Sequence, residues 1–87
     1  MNESNIVSGR QLRAARVLAG LTQAQLAAAA GHHENACRYW ESRENKPPTC
    51  IDSTLDRIEL ALAGYGVVVF SRPTPGARLA NDIVDKR

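Results

Sequence analysis

The sequence predicts one mostly helical domain in which four helices precede a short C-terminal β-strand or hairpin. Three observations lead to this fold class. Apolar residues recur at helical spacing in four stretches before residue 64, and glycines or prolines separate these stretches. The pattern then changes to a β-branched and aromatic run, Val67–Phe70, followed by a turn rich in proline. A chain of 87 residues is long enough for one modest hydrophobic core.

Two helix starts carry the hydroxyl and glutamine of a capping box, namely Ser8 with Gln11 and Thr22 with Gln25. In this motif the two side chains satisfy free backbone N–H groups at the first helical turn. We therefore expect helices over about 9–19 and 23–30, the second of which ends at Gly31. The residues at inward-facing spacing are Leu12, Ala15, Leu18, Ala19, Leu26, Ala27 and Ala30.

A short glycine turn joins the second predicted helix to a third, which is a helix-turn-helix arrangement. We expect the third helix to begin near His33 or Glu34 and to end near Arg43. Cys37 and Trp40 lie on its inward side, so the polar residues between them face outward. Such a unit places its second helix in the major groove of DNA, and the pattern therefore indicates a DNA-binding domain.

The fourth helix should start between residues 49 and 52 and end at Gly64, with one apolar stripe formed by Ile51, Leu55, Ile58 and Leu62. The run Val67–Phe70 should pair with 77–79 as a hairpin. A lone hairpin is marginal in water, and an apolar strand edge invites pairing. We expect this segment to join two subunits about a two-fold axis, which would set two reading helices about 34 Å apart. The predicted dimerisation residues are Leu62, Tyr65, Val67, Val69 and Phe70. The alternative is that the hairpin only completes the monomer core.

These elements divide the chain into a flexible arm (1–7), a helix-turn-helix domain (8–64), a C-terminal strand or hairpin (65–80) and a polar tail (81–87). The net charge of +2 is mild, but the basic excess lies before Pro47, with the helix-turn-helix. Two cysteines, Cys37 and Cys50, fit a reducing cytoplasm better than a disulfide framework. No apolar leader or long apolar run is present, so we expect a cytoplasmic protein.

The sequence favours neither a metal site nor an enzyme. A four-ligand zinc site can be drawn from His32, His33, Cys37 and Cys50, but its spacing matches no common zinc motif. The sequence has no glycine-rich phosphate loop, no nucleophile elbow and no paired carboxylates in a credible cleft. We therefore expect no metal, no other cofactor and no enzymatic activity.

From Leu12 to about Leu62 the chain resembles the Cro/phage-repressor type of helix-turn-helix proteins, which is the lambda-repressor-like family of bacterial transcriptional regulators. The matching residues are Arg16, Leu21-Thr22-Gln23, Leu26-Ala27, Gly31, and Trp40-Glu41 followed by a proline-bearing loop. The chain departs from the family at His32 and His33, where valine and then Ser or Thr are usual. Cys37 replaces a common buried isoleucine or valine, and the Val67–Phe70 strand replaces a fifth helix.

The resemblance implies a role for each matching position. Gln23 corresponds to a phosphate contact at the start of the second helix. The positions that face base edges are Glu34, Asn35 and Arg38, with Tyr39 at the margin and His33 completing the predicted DNA-binding set. The loop that grips the DNA backbone corresponds to Arg43, Asn45 and Lys46. Arg16 and Glu41 correspond to a partly buried ion pair between the first and third helices.

The predicted function is sequence-specific binding of double-stranded DNA by a transcriptional regulator, a repressor that acts as a homodimer on a palindromic operator. Two other readings stay open. The first is a protein-binding module, an antitoxin or anti-activator, which the mild net charge and an acidic patch near Asp52, Asp56 and Glu59 favour. The second is an accessory DNA-bending factor of a recombination system, which would share the DNA site.

Overall fold

The computed structural model describes residues 4–48 and 52–80, which form four helices and one two-stranded antiparallel sheet. In chain order the elements are α1 (Gly9–Ala19), α2 (Gln23–Ala29), α3 (Ala36–Glu41), α4 (Asp52–Gly64), β1 (Val67–Phe70) and β2 (Gly76–Leu79). The predicted fold class is confirmed. The predicted tail, 81–87, and the predicted positions Cys50 and Ile51 lie outside the described residues.

The first two helices begin and end where local chemistry predicts. At α2 the capping box is complete, because Thr22 Oγ1 accepts from the Gln25 N–H at 3.0 Å and Gln25 Oε1 accepts from the Thr22 N–H at 2.9 Å. The turn after α2 contains Gly31 with a φ of 80°, a left-handed conformation that disfavours a side chain. This turn brings α3 back across α2.

The third helix is shorter than predicted and covers only Ala36–Glu41. Asn35 occupies the N-cap position but has helical backbone angles, and its side chain makes no capping bond. Instead the His33 ring Nδ1 accepts from the Asn35 N–H at 3.1 Å, and the His33 carbonyl accepts from the first helical N–H at 2.9 Å. Residues 33–35 therefore form a turn, and the expected start at His33 or Glu34 and end near Arg43 are both wrong.

One core holds the elements together. Its buried apolar residues are Ile6, Leu12, Ala15, Leu21, Leu26, Ala27, Ala30, Cys37, Trp40, Leu55, Ile58, Leu62, Val67 and Val69. Most of the predicted inward positions are among them. Leu18 is not, because its side chain is 39% exposed. The buried stripe of α1 runs through Leu12 and Ala15 towards the partly buried Ala19, so Leu18 falls on the outer side beside Val17.

The hairpin packs one face on the helices. Val67 pairs with Leu79 and Val69 with Ala77, and these two valines point into the core. The opposite face carries Phe70, whose ring lies over Gly76 so closely that a Cβ there would be only 2.7 Å from the ring. The hairpin is thus a part of the monomer's own core, with its second face turned outward.

A buried glutamine joins the N-terminal segment, α1 and the hairpin. Gln11 Nε2 donates to the carbonyls of Asn5 (2.9 Å), Phe70 (2.8 Å) and Gly76 (3.2 Å). Its Oε1 accepts from the Val7 N–H at 2.7 Å, so Gln11 does not complete the predicted capping box with Ser8. The side chain satisfies polar backbone groups of three segments at once, which fixes where the hairpin sits on α1.

Residues 4–7 of the predicted flexible arm are held against α4. Glu59 accepts hydrogen bonds from the Ser4 hydroxyl (2.9 Å), the Asn5 N–H (3.2 Å) and Asn5 Nδ2 (3.1 Å). Ile6, next along the chain, is buried in the core. This part of the N-terminal segment is therefore integral to the fold.

Candidate nucleic-acid interface

The predicted base-facing residues share one exposed surface at the start of α3. Glu34 and Asn35 lie in the turn that precedes the helix, while Arg38 and Tyr39 lie on the helix itself. All four are exposed. The inward side of α3 is occupied by Cys37 and Trp40, both buried. We call the four exposed residues the recognition surface.

His33 lies next to this surface in the chain and stabilises the turn before α3. Its ring is exposed, and its Nδ1 accepts from the Asn35 N–H, so Nε2, which has no partner among residues 4–48 and 52–80, is the ring nitrogen that can meet an external group. His32 is turned the other way, with Nε2 3.2 Å from the Thr54 hydroxyl and its ring edge-on to Trp40 at 5.4 Å between centroids. The two histidines thus position the turn against α4 and α3.

The loop after α3 brings further cations beside the recognition surface. Arg43, Asn45 and Lys46 are exposed, as a backbone-contacting loop requires. The loop is fixed to the start of α1, because the Gly9 N–H donates to the Lys46 carbonyl at 3.1 Å and the Arg10 N–H donates to the Glu44 carbonyl at 2.9 Å. These bonds set the loop at a constant position relative to α1 and α3.

A half-buried polar network ties α1, α2 and α3 together behind the recognition surface. Arg16 Nε lies 2.6 Å from Glu41 Oε2, and Arg16 Nη2 lies 3.3 Å from Oε1. Arg16 Nη1 also donates to the Leu21 carbonyl at 2.9 Å, and the Cys37 thiol donates to Glu41 Oε2 at 3.2 Å. Gln23 Nε2 donates to Glu41 Oε1 at 3.0 Å. This network fixes the relative positions of the three helices.

The hydrogen bond to Glu41 reduces the number of donors that Gln23 has for a phosphate contact. One of its two amide hydrogens is used inside the protein, and the side chain is only half exposed. A second amide hydrogen is left for a phosphate oxygen. The predicted phosphate contact therefore stays a prediction, with an orientation that Glu41 determines.

The environment of the network sets its protonation states. Burial by itself raises the pKa of Glu41, but hydrogen bonds from Arg16, Gln23 and Cys37, with the Arg16 charge, outweigh burial and hold this pKa below its ordinary value of 4.5. The hydrogen bond to Glu41 raises the pKa of Arg16. Burial raises the pKa of the Cys37 thiol to about 12, with the Glu41 hydrogen bond and charge acting in the same direction. At neutral pH the pair is ionised, and Cys37 is a neutral thiol that is not a nucleophile.

A cleft of about 500 Å³ opens between α1 and α3 next to this network. It is lined by Arg13, Arg16, Gln23, Arg38, Glu41, Ser42 and Glu44. Arg13 was not among the predicted site residues. A signal was present, since Arg13 precedes Arg16 by three residues and so lies on the same side of α1.

The predicted dimerisation residues divide into two groups. Leu62, Val67 and Val69 are buried in the core of the single chain, so their side chains do not reach a subunit surface. Tyr65 is 54% exposed and Phe70 is half-buried on the outer face of the hairpin. Among the five predicted dimerisation residues, those two are open to contact with a second chain.

Of the four residues drawn together as a zinc site, Cys50 lies outside the described residues, and the other three have partners within the fold. Cys37 is bound to Glu41 and His32 to Thr54, and His33 faces its own turn. Among the residues that the structure describes, no group of three or more His, Cys, Asp or Glu side chains could hold a metal ion.

Comparison with known families agrees with this geometry. Residues 12–49 match the family model described as helix-turn-helix. This segment is a helix-turn-helix of the Cro/phage-repressor type. The match supports a DNA-binding regulator in general. A search of curated proteins finds no match. Within 4–48 and 52–80, every helix is too short or too polar to cross a membrane.

Proposed function

We propose that this helix-turn-helix protein represses transcription by binding a palindromic operator in double-stranded DNA as a homodimer. The observation that carries the proposal is the recognition surface: four exposed side chains of different chemistry lie on a scaffold that the half-buried polar network holds in place. Rigid presentation matters because base contacts depend on hydrogen bonds of defined direction.

The recognition surface can discriminate bases. An Asn amide pairs with adenine, an Arg guanidinium with guanine, and a Glu carboxylate accepts from the amino group of cytosine. Asn35, Arg38 and Glu34 supply one of each. Each good contact is worth about 1–3 kcal/mol of discrimination. Because one such surface reads only a short half-site, two copies support a specificity ratio of ~10³ or more.

The surrounding cations support sequence-independent affinity. Arg43 and Lys46 are exposed on a loop whose backbone is bonded to α1, and Asn45 lies between them. In this position their side chains can meet phosphates that flank a half-site. Contacts to phosphates set register and orientation without reading sequence.

A second copy fits the outer face of the hairpin better than its inner face. Val68 and Phe70 are half-buried there, with Tyr65 exposed beside them. Isologous contact of this face would bury apolar surface on both subunits.

The test of the dimer uses Val68, because substituting the buried Val69 would disturb folding. Val68→Asp instead places a charge on the outer face, where the second copy would bind. We expect wild type to sediment as a dimer and Val68→Asp as a folded monomer; a monomeric wild type would reject the dimer.

Selection of bound duplexes from a random library tests the operator. We expect a palindromic site with half-sites one helical turn apart. Arg38→Ala should relax preference at one base pair of each half-site, while Lys46→Ala should weaken all duplexes about equally. A selection that enriches no sequence would reject sequence-specific binding.

An exposed apolar residue supports protein binding as a second candidate function. Leu60 is 72% exposed on α4, in a groove of about 520 Å³ that Asp56, Glu59 and Ala63 also line. An antitoxin or anti-activator would use such a patch against a basic, apolar segment of its target. If Leu60→Asp abolishes regulation in cells while DNA binding is retained, this second function is supported.

A further inference from the structure

The cleft between α1 and α3 contains two cations that lack a counter-charge. Arg16 is neutralised by Glu41, and Glu44 forms an ion pair with Arg10. Arg13 and Arg38 also border the cleft. Neither side chain has an ion pair or hydrogen bond within the described residues 4–48 and 52–80. The cleft therefore keeps a positive potential that the protein itself does not balance.

Arg13 is placed to act together with the recognition surface. It is exposed on α1, while Arg38 reaches the same cleft from α3 and Gln23 from the start of α2. The free amide hydrogen of Gln23 and the Arg13 guanidinium thus lie at one opening, with the Arg38 guanidinium at its border. A phosphate is the part of DNA that such a set of donors fits, because guanidinium groups bind phosphate oxygens in a bidentate manner.

The scaffold supports Arg13 without using its charge. The start of α1 is bonded to the loop after α3 through the Gly9 and Arg10 N–H groups. Further along α1, the Arg16–Glu41 ion pair attaches the helix to α3. Arg13 lies between these two attachments, so the position of its backbone relative to the recognition surface is fixed.

We propose that Arg13 contacts a DNA backbone phosphate seated at the opening of this cleft. This inference rests on the proposed DNA-binding function and adds α1 to the elements that touch DNA. The contact is sequence-independent, so Arg13 adds affinity and fixes the angle at which α3 enters the groove, while Arg38 is left to reach a base edge.

The test compares wild type, Arg13→Gln and the control Arg72→Gln, which removes an exposed arginine from the hairpin turn. Dissociation constants are measured over a salt series for the selected duplex and for a scrambled duplex. Arg13→Gln should weaken both to a similar extent and reduce the slope of log affinity against log salt by about 0.9 for each Arg13 in the complex. Arg72→Gln should match wild type, and Arg13→Lys should recover most of the slope. Thermal melting of each variant confirms that it is folded.

The outcomes separate this inference from the function on which it rests. If wild type binds duplexes with the expected salt dependence and Arg13→Gln has the same slope, the phosphate contact is rejected and the proposed function stands. If Arg13→Gln instead changes the preferred sequence, Arg13 reads a base and the proposal is equally wrong. If wild type binds no duplex at all, the proposed function fails and the inference fails with it.

Discussion

Two ion pairs join α1 to the end of α3 and to the loop that follows it, and they differ mainly in how far their side chains are exposed. In the inner pair, Arg16 and Glu41 lie 2.6 Å apart with side chains only 14% and 6% exposed. In the outer pair, Arg10 and Glu44 lie 3.5 Å apart with side chains 68% and 69% exposed. The inner carboxylate also accepts from Gln23 and Cys37, whereas water can replace either partner of the outer pair.

The difference shows which polar contacts hold this fold. Removing one partner of a desolvated pair leaves a charge that water cannot easily reach, and the cost is large. Removing one partner of an exposed pair only returns a charge to solvent. The inner pair should therefore determine how α1, α2 and α3 are arranged, while the outer pair should mainly set surface charge beside the loop after α3.

The largest expected effect comes from breaking the inner pair. Glu41→Ala leaves Arg16 without a counter-charge and also removes the acceptor of Gln23 and Cys37, so we expect a loss of about 3–5 kcal/mol in the free energy of unfolding. Urea unfolding followed by circular dichroism measures it. Glu34→Ala removes an exposed carboxylate that has no side-chain partner among residues 4–48 and 52–80; it is the matched control and should change stability by less than about 0.5 kcal/mol. A loss below about 1 kcal/mol for Glu41→Ala would contradict the comparison.

The next effect tests the backbone contact that lies between the two pairs. A Cβ at Gly9 would come within 2.7 Å of the Glu41 carbonyl oxygen and 2.8 Å of the Trp40 carbonyl oxygen. Gly9→Ala must push α1 away from α3, and we expect it to cost about 1–3 kcal/mol. Gly64→Ala is the control: a Cβ there would meet no other part of the described chain within 4 Å, so the change should stabilise α4 by up to about 1 kcal/mol. Equal behaviour of the two alanines in thermal melts would show that α1 and α3 are not in close contact.

Acid should weaken the inner pair selectively. Since the pKa of Glu41 in the folded chain lies below its ordinary value of 4.5, ionised Glu41 contributes stability that is fully present above that value. The contribution is lost as the pH falls through the lower folded pKa. The stability difference between wild type and Glu41→Gln should therefore be constant near neutral pH and shrink below about 4.5. A difference that does not change between pH 7 and pH 3 would be inconsistent with this shift.

The smallest effect belongs to the outer pair. Arg10→Ala should cost less than about 1 kcal/mol, because both side chains are exposed. Glu44 has a φ of 53°, which glycine adopts more readily, so Glu44→Gly should leave stability unchanged or raise it by less than about 1 kcal/mol. Chemical unfolding of the two variants decides the point: if both lose more than 1 kcal/mol, the outer pair matters for folding after all.

Much of the fold could be predicted from local sequence. The capping residues of α2 and the glycine of its turn act over a few neighbouring positions, and the bounds of α1, α4 and the hairpin follow from short-range patterns. The start of α3 was mispredicted because His33 supplies an unusual bond to the Asn35 N–H in place of a side-chain cap. Propensity alone does not reveal such a bond.

The candidate site was predicted only in part, for a similar reason. Exposure of Asn35 and Arg38 follows from helical spacing once Cys37 and Trp40 are assigned to the core. The attachment of Gln23 to Glu41 and the convergence of Arg13 and Arg38 on one cleft join residues from different helices. No periodic pattern carries that information.

The sequence alone determined α1, α2, α4, the glycine turn and the strand segment, since each depends on bonds and steric limits between residues close in the chain. Only the tertiary structure decided that Gln11 joins three segments, that Val67 and Val69 face inward, and that Glu41 collects donors from all of the first three helices. Those arrangements depend on which polar groups become buried together, and burial is a property of the packed chain rather than of any short stretch of it.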